Sequence, residues 1–190
     1  MGGEPKALLE VGGRRIIDRV VAALREVTDD LLVVTNTPEL YASLGLPMVP
    51  DLWPDGGALG GIHTGLRAAA APAVFNVACD MPFVSAPLAR ALAARAGEAD
   101  VVIPRATDQY ETMHACYAKA CLEPMERALR AGRLKVIGFF PDVRVLAIDA
   151  DEVRRLALAE PERVFMNVNT PAELARARAL VGADASAPPA

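Results

Sequence analysis

The chain has few of the features by which proteins recognise nucleic acids. Its formal net charge is −4 without a block of like charge, and aromatic residues make up only 5% of its 190 positions. A chain of this composition offers no basic surface for a phosphate backbone and few rings on which bases could stack. We therefore expect no nucleic-acid partner.

Long apolar runs and cysteine pairs are also missing. No stretch approaches the roughly 18 apolar residues of a membrane span, and the N-terminal MGGEPKALLEVGG lacks the apolar core of a signal peptide. The three cysteines, Cys79, Cys116 and Cys121, have no C-x-x-C spacing and are odd in number, which favours reduced thiols over disulfides or a zinc site. These absences predict a cytoplasmic protein without membrane contact.

Apolar residues are abundant, and their pattern predicts the fold class. They make up 53% of the chain, enough for one domain with a substantial core. Strand-like and helix-like patterns alternate as in repeated β-α-β units, so we expect an α/β fold with a mostly parallel sheet between helices. One domain is expected over residues 1–181, and the Ala/Pro/Ser/Gly-rich tail at 182–190 is expected to be disordered.

Apolar spacing also predicts the individual elements. Strands are expected at 31–35, 47–51, 73–78, 101–104, 114–117 and 143–148, and helices at 16–24, 38–44, 60–71, 86–96, 122–131, 150–158 and 171–180. Ser85 is the expected N-cap of the helix at 86–96, with Pro87 in its first turn.

The clearest functional signal is the segment AVFNVACDMP at residues 73–82. Its apolar run has the length of a buried strand, so Asp80 is expected at the carboxyl end, where ligands bind in open α/β sheets. The strand predicted at 47–51 also ends in an acid, Asp51, and leads into the glycine-rich DLWPDGGALGGI. Alone, such an Asp is more often a turn residue or a helix cap. Two of them beside a glycine loop predict a site for magnesium and a polyphosphate.

A third segment, FMNVNTPAEL, indicates a strand, a turn and a helix near the C-terminus. Thr170 and Pro171 fit the N-cap and the first helical position, and Glu173 fits the acid of a capping box. Asn167 and Asn169 are expected to share one face of the short strand, because side chains two residues apart point the same way. Their amides could equally tie down neighbouring loops or bind a ligand.

Together these segments resemble the MobA family of molybdenum cofactor guanylyltransferases. MGGEPKALLEVGG, DLWPDGGALGGI, CDMP and FMNVNTPAEL occur in the order and spacing of that family, over nearly the whole chain. The resemblance implies a three-layer, Rossmann-like nucleotidyltransferase fold. It also implies transfer of GMP from Mg-GTP to the phosphate of molybdopterin, with release of pyrophosphate. The implied partners are GTP and molybdopterin as small-molecule substrates, with transient contacts to molybdopterin-delivering proteins or recipient molybdoenzymes.

The resemblance is incomplete at the N-terminus. The family signature is close to L-A-G-G-x-S-x-R-M-G-x-x-x-K, and Met1, Gly2 and Lys6 match only its end. The family's first strand, its A-G-G turn and its Arg therefore have no counterpart in this sequence. Either the natural protein begins upstream or part of the GTP site has been lost. Without that strand the sheet would lose a central member, which predicts unpaired neighbours and lower stability for the short form.

The resemblance assigns roles on the nucleotide side of the site. Asp80 would hold Mg²⁺ at the phosphate oxygens and Lys6 would offset the charge of the triphosphate, so these two are the expected catalytic residues. Nucleotide contacts are expected from Lys6, Asn36, Asp51, Gly60 and Asp80. The glycines of the loop, Gly56, Gly57, Gly60 and Gly61, would let the backbone approach the base and ribose.

The acceptor is expected to contact a second set of residues. Asn167 and Asn169 match family positions near the pterin and its phosphate. Arg133 and Lys135, in AGRLKVIGFF, carry the charge to bind the acceptor phosphate, although a solvated basic turn explains them too. His63 and His114 have no ligand spacing, and a core position is expected for His114.

Two other functions stay open beside the guanylyltransferase. One is a sibling enzyme with another nucleotide or acceptor, such as a molybdopterin cytidylyltransferase. The other is a catalytically silent module that binds molybdopterin, which a natural loss of the N-terminal segment would favour. Stabilisation by GTP or by CTP would separate the two enzymes.

Overall fold

A computed structural model describes residues 5–106 and 109–186 of the chain. Strands Glu10–Val11 (β1) and Arg14–Arg15 (β2) form an antiparallel hairpin, and helix Ile16–Arg25 (α1) follows directly. Gly12 and Gly13 form the turn with φ of 60° and 71°, a conformation that glycine adopts at little cost. The helix predicted at 16–24 is confirmed.

Strands Val33–Val34 (β3) and Met48–Val49 (β4) pair in parallel and form a two-stranded sheet of their own. The segment between them contains two short 3₁₀ turns, Pro38–Leu40 and Ala42–Leu44, in which only Leu44 is buried. The α-helix predicted at 38–44 is therefore wrong. Seven residues complete fewer than two α-helical turns, which are not stable without a buried face.

A five-stranded sheet forms the centre of the molecule. Its strands are Ala73–Val77 (β5), Val101–Ala106 (β6), Gln109–Tyr110 (β7), His114–Ala118 (β8) and Val145–Asp149 (β9). β8 lies between β5 and β6 and is antiparallel to both, while β7 and β9 pair with β6. Because β9 is parallel to β6, three of the five strands, β5, β6 and β9, run in one direction. β8 runs against them since no crossover helix separates it from β6.

Helices cover both faces of this sheet. They are Gly57–Ala68 (α2), Ala86–Ala94 (α3), Leu122–Arg130 (α4), Ala150–Ala157 (α5), Pro161–Val164 (α6) and Pro171–Ser186 (α7). Val101 and Ile103 pack in one core with residues of α2 and α4, whereas Val102 packs in another with residues of α3 and α5. Neighbouring residues of one strand thus face opposite helical layers. The expected three-layer α/β fold is confirmed.

The ends of two helices test the sequence predictions in detail. The Ser85 hydroxyl accepts a hydrogen bond from the backbone N–H of Leu88 at 3.2 Å, so the predicted cap of α3 is confirmed. The predicted end of the last helix at residue 180 is wrong, because α7 continues to Ser186. Alanine-rich sequence favours helix, and Val181 also packs against a core cluster. The rest of the predicted tail, at 187–190, lies outside the described residues.

The sheet layer is divided into two parts. Within residues 5–106 and 109–186, β3 and β4 pair with each other and not with the five-stranded sheet. Among the same residues no helix combines the length and apolar character needed to cross a membrane. All three cysteines are free, with Cys116 and Cys121 buried and Cys79 exposed.

Candidate functional site

The first group of predicted site residues lies where β3 and β4 end. The backbone N–H of Asp51 donates to Asn36 Oδ1 at 2.9 Å, so the structure brings these two residues together. Asp51 Oδ1 accepts from the backbone N–H of Trp53 at 2.9 Å and from the Thr64 hydroxyl at 2.8 Å. Among the described residues, Asp51 Oδ2 has no hydrogen bond. One carboxylate oxygen therefore holds the loop, and the other is left for a ligand.

The glycines of the loop divide into two pairs. A Cβ on Gly56 would lie 2.8 Å from Trp53 Cβ, and one on Gly60 would lie 2.8 Å from the Trp53 carbonyl oxygen. These two glycines thus let Trp53 lie against the start of α2. Gly57, at φ 56°, and Gly61 have open space at the Cβ position. Nucleotide binding at Gly60 stays a prediction, and the structure shows that this glycine is needed for packing.

A chain of hydrogen bonds that sequence reasoning did not find leads away from this loop. Trp53 Nε1 lies 3.1 Å from His63 Nδ1, and His63 Nε2 lies 3.1 Å from Glu126 Oε1 on α4. His63 and Thr64 are consecutive residues of α2, and both bind the DLWPDGG loop. The one sequence signal was two adjacent polar residues within the apolar and glycine-rich run GALGGIHTGL.

The second group lies after β5, where Asp80 stands at the strand end as predicted. Its carbonyl oxygen accepts from the backbone N–H of Val168 at 3.0 Å, which brings the FMNVNTPAEL segment to this edge. Lys6 Nζ donates to Asn169 Oδ1 at 2.7 Å. Val168 and Asn169 are consecutive residues, so these two bonds bring Lys6 to the segment that is held against Asp80. The structure therefore brings Lys6, Asp80 and Asn169 together.

The environment of Asp80 suits a bound cation. Burial is the largest influence on this half-buried carboxyl and raises its pKa, with a smaller contribution from the charge of Glu173. Its own backbone N–H and Lys6 oppose the rise without cancelling it. A cation would stabilise the charged form of such a carboxylate. The described residues contain no cluster of three metal-binding side chains. A divalent cation at Asp80 would take its other ligands from phosphate and water oxygens.

The capping box at the start of α7 is confirmed. The Glu173 carboxylate accepts from the backbone N–H groups of Asn169 and Thr170, each at 2.8 Å, and the Thr170 hydroxyl accepts from the N–H of Glu173 at 3.2 Å. These bonds, led by the one from Asn169, lower the pKa of Glu173. They also explain why the strand predicted for Asn167 and Asn169 is wrong, because the N–H of Asn169 turns toward the helix cap. Asn167 Nδ2 instead donates to the carbonyl oxygen of Phe165 at 3.4 Å.

A short turn at Lys6–Leu8 lies between the two groups. Ala7 is buried in a cluster with Ile17, Val21 and Leu44, against which Val33 of β3 also packs. Lys6, on the same turn, binds Asn169 of the second group. In the described part of the chain no hydrogen bond or ion pair joins Asp51 directly to Asp80. The turn packs toward the first group through Ala7 and binds the second through Lys6.

Arg133 and Lys135 are exposed in the loop after α4. Gly132, at φ 66°, begins this loop, and the N–H of Arg133 closes the helix by donating to Ala128 O at 2.9 Å. Neither side chain contacts the two groups among the described residues. Their acceptor role stays a prediction.

His114 occupies the core, as expected. Its ring packs edge to face against Phe75 and Phe165, with ring centroids at 4.9 and 5.3 Å. Neither ring nitrogen has a hydrogen-bond partner among the described residues, and burial lowers the pKa to about 3. The ring is therefore neutral and has no part in the site.

Comparisons with known proteins agree with this geometry. A family model described as MobA-like NTP transferase domain matches residues 1–142. A probable molybdenum cofactor guanylyltransferase of Pelotomaculum thermopropionicum is 42% identical over 178 residues, covering 94% of this chain and 86% of that protein. A molybdenum cofactor guanylyltransferase of Desulfosudis oleivorans is 35% identical over 184 residues, covering 96% of this chain and 90% of that protein.

Among solved structures, molybdopterin-guanine dinucleotide biosynthesis protein A of Archaeoglobus fulgidus is similar at a TM-score of 0.79. The alignment covers 95% of this chain and 92% of that protein at 24% identity, so it supports the fold alone. The family model spans most of the chain, and the two curated relatives cover nearly all of it. The chain therefore belongs to the MobA-like NTP transferase family.

Proposed function

We propose that the protein transfers GMP from Mg-GTP to the phosphate of molybdopterin, forming the guanine dinucleotide cofactor. The observation that carries the proposal lies after β5, where Lys6 binds Asn169 and the neighbouring Val168 binds the backbone of Asp80. It occurs in a chain that is 42% identical to a protein named probable molybdenum cofactor guanylyltransferase. A phosphate oxygen of molybdopterin attacks the α-phosphorus of GTP, the bond from that phosphorus to the α,β-bridging oxygen breaks, and pyrophosphate leaves with the electron pair.

Two residues handle the charge of the triphosphate. Nucleotidyl transfer depends on positioned positive charge more than on a strong base, because negative charge increases on the leaving pyrophosphate. The Lys6 ammonium, oriented by Asn169, supplies part of this charge. Asp80 would hold Mg²⁺, which when bound neutralises phosphate charge and the leaving group.

The remaining predicted residues divide between the two substrates. Asp51, through its unoccupied Oδ2, and Asn36 would contact the nucleoside, and Gly60 would supply backbone next to it. Asn167 and Asn169 would contact the pterin and its phosphate, with Arg133 and Lys135 adding charge. Because Asn169 also holds Lys6, it would lie between the triphosphate and the acceptor. GTP and molybdopterin are the proposed partners, and a cytoplasmic location and transient contacts with molybdoenzymes follow from the same proposal.

Nucleotide binding and product formation test this function. We expect Mg-GTP to raise the melting temperature by a ligand-dependent increment and Mg-CTP to leave it unchanged. Incubation with Mg-GTP and molybdopterin should release pyrophosphate and give the guanine dinucleotide by mass spectrometry. Stabilisation by CTP with release of pyrophosphate would favour the cytidylyltransferase, and binding of molybdopterin without turnover would favour the silent module.

A further inference from the structure

We propose that Trp53, His63 and Glu126 form a clamp that positions the loop bearing Asp51 and thereby sets the affinity for the nucleotide. The inference rests on the proposed function, in which Asp51 contacts the nucleotide. Trp53, His63 and Glu126 are positioning residues, because each affects the nucleotide only through the position of the loop. The proposal is based on two consecutive hydrogen bonds, which connect the Trp53 indole to the His63 ring and that ring to Glu126 on α4.

The direction of both hydrogen bonds follows from the donor chemistry. An indole Nε1–H can only donate, so His63 Nδ1 must accept it across 3.1 Å. A neutral imidazole that accepts at Nδ1 carries its proton on Nε2, which then donates to Glu126 Oε1 at 3.1 Å. The clamp therefore fixes one tautomer of His63. Replacing its ring by an apolar one breaks both bonds at once.

Burial raises the cost of breaking these two hydrogen bonds. The His63 side chain is 3% exposed, so water cannot replace a lost partner at its ring, whereas the Glu126 side chain is 34% exposed. A buried donor or acceptor that is left unpaired costs more than the bond itself contributes. We therefore expect loss of His63 to move the loop further than loss of the Glu126 carboxylate.

The loop on which the clamp acts is also bound to α2 through Asp51. Asp51 Oδ1 binds the Trp53 N–H and the hydroxyl of Thr64, the residue after His63. Gly56 and Gly60 leave only enough room for Trp53, because a methyl group on either glycine would lie 2.8 Å from an atom of Trp53. Rotation of the indole therefore displaces the backbone that holds Asp51, and it changes the direction of the free Oδ2.

Steady-state kinetics separate positioning from a merely structural role. For His63→Phe we expect KM for GTP to rise about tenfold, because both hydrogen bonds of the clamp are lost at a buried site, with kcat within about twofold. For Glu126→Ala we expect a rise of about threefold, and Glu126→Gln, which keeps the acceptor oxygen, should restore KM to within about 1.5-fold of the wild type. Glu123→Ala is the matched control, because Glu123 lies on the same helix and also pairs with an arginine four residues later.

Trp53 fluorescence gives a readout that does not depend on turnover, because the chain contains a single tryptophan. In nucleotide-free protein, acrylamide should quench Trp53 more strongly in His63→Phe and Glu126→Ala than in the wild type and Glu123→Ala. The same signal, titrated with Mg-GTP, should give Kd values that rise with KM. If the wild type made no dinucleotide, the proposed function would fail. These titrations would still test whether the clamp sets the affinity for Mg-GTP.

The result that overturns the inference is equally specific. Unchanged Kd and KM in both His63→Phe and Glu126→Ala would show that the clamp does not position the loop. A fall in kcat with constant KM would also contradict the positioning role. Equal changes of KM in Glu126→Ala and Glu123→Ala would contradict it too. Glu126→Ala keeps the test decisive if His63→Phe does not fold, because Glu126 lies at the surface of α4.

Discussion

The Lys6 ammonium donates a 2.7 Å hydrogen bond to Asn169 Oδ1, joining two residues that are 163 positions apart in the chain. The bond connects the KALL and NVNTP segments at the edge where Asp80 ends its strand. The backbone N–H of Val168, the residue before Asn169, donates to the carbonyl oxygen of Asp80, so the three residues belong to one edge of the sheet. Asn169 therefore holds Lys6, and under the proposed function it would also present an amide to the acceptor.

Asn169→Ala should raise KM for GTP about fivefold, because an unrestrained lysine loses its orientation toward the triphosphate. Asn167→Ala is the matched control, since its amide donates to Phe165 O rather than touching Lys6. It should leave KM for GTP unchanged. Steady-state kinetics with GTP varied at saturating molybdopterin measure both. Equal KM values for the two variants would contradict an orienting role of Asn169.

Gly60→Ala should destabilise the protein by roughly 1–3 kcal/mol, because the new methyl group would lie 2.8 Å from the Trp53 carbonyl oxygen. Gly61→Ala, one residue later on α2, meets no atom within 4 Å. It should be neutral or stabilising by up to about 1 kcal/mol, since alanine favours helix. Urea unfolding of both variants measures the difference. Equal free energies of unfolding would show that the loop does not need its close contact with α2.

Glu111→Gln should stabilise the protein more as the pH rises. Burial raises the pKa of Glu111 from 4.5 to about 7. The folded state therefore binds more protons than the unfolded state between these pH values, and wild-type stability falls as the pH rises through them. Melting temperatures of the two proteins should agree near pH 4 and separate above pH 7, with the variant higher. A constant difference across that range would contradict a buried Glu111 carboxyl.

Local sequence patterns predicted the parts of the site that depend on neighbours in the chain. The run before Asp80, the Ser85 cap and the Thr170–Glu173 capping box each need only a few consecutive residues, and all three are confirmed. The prediction of a strand around Asn169 was wrong because the backbone N–H of Asn169 donates to the Glu173 carboxylate. An alternating strand pattern carries no information about such a bond.

Contacts between distant residues could not be predicted in the same way. Trp53, His63 and Glu126 meet because α2 and α4 pack in one core, and His63 and Glu126 are 63 positions apart. Lys6 gave a signal only through the family motif, because a lone lysine after a proline has no pattern of its own. Single-sequence periodicity describes which face of a helix is apolar, but it does not say which polar residue of another helix lies opposite.

The proposed chemistry depends on Asp80 as the residue that holds the metal-bound triphosphate. Asp55, exposed in the DLWPDGG loop, provides a matched control, because it is an acid near the site with no assigned role. The decisive measurement is GMP transfer to molybdopterin by Asp80→Ala and by Asp55→Ala, with melting temperatures recorded for both. We predict a loss of at least about 100-fold for Asp80→Ala at an unchanged melting temperature, and wild-type transfer for Asp55→Ala. Turnover retained by a folded Asp80→Ala protein would contradict the proposed site.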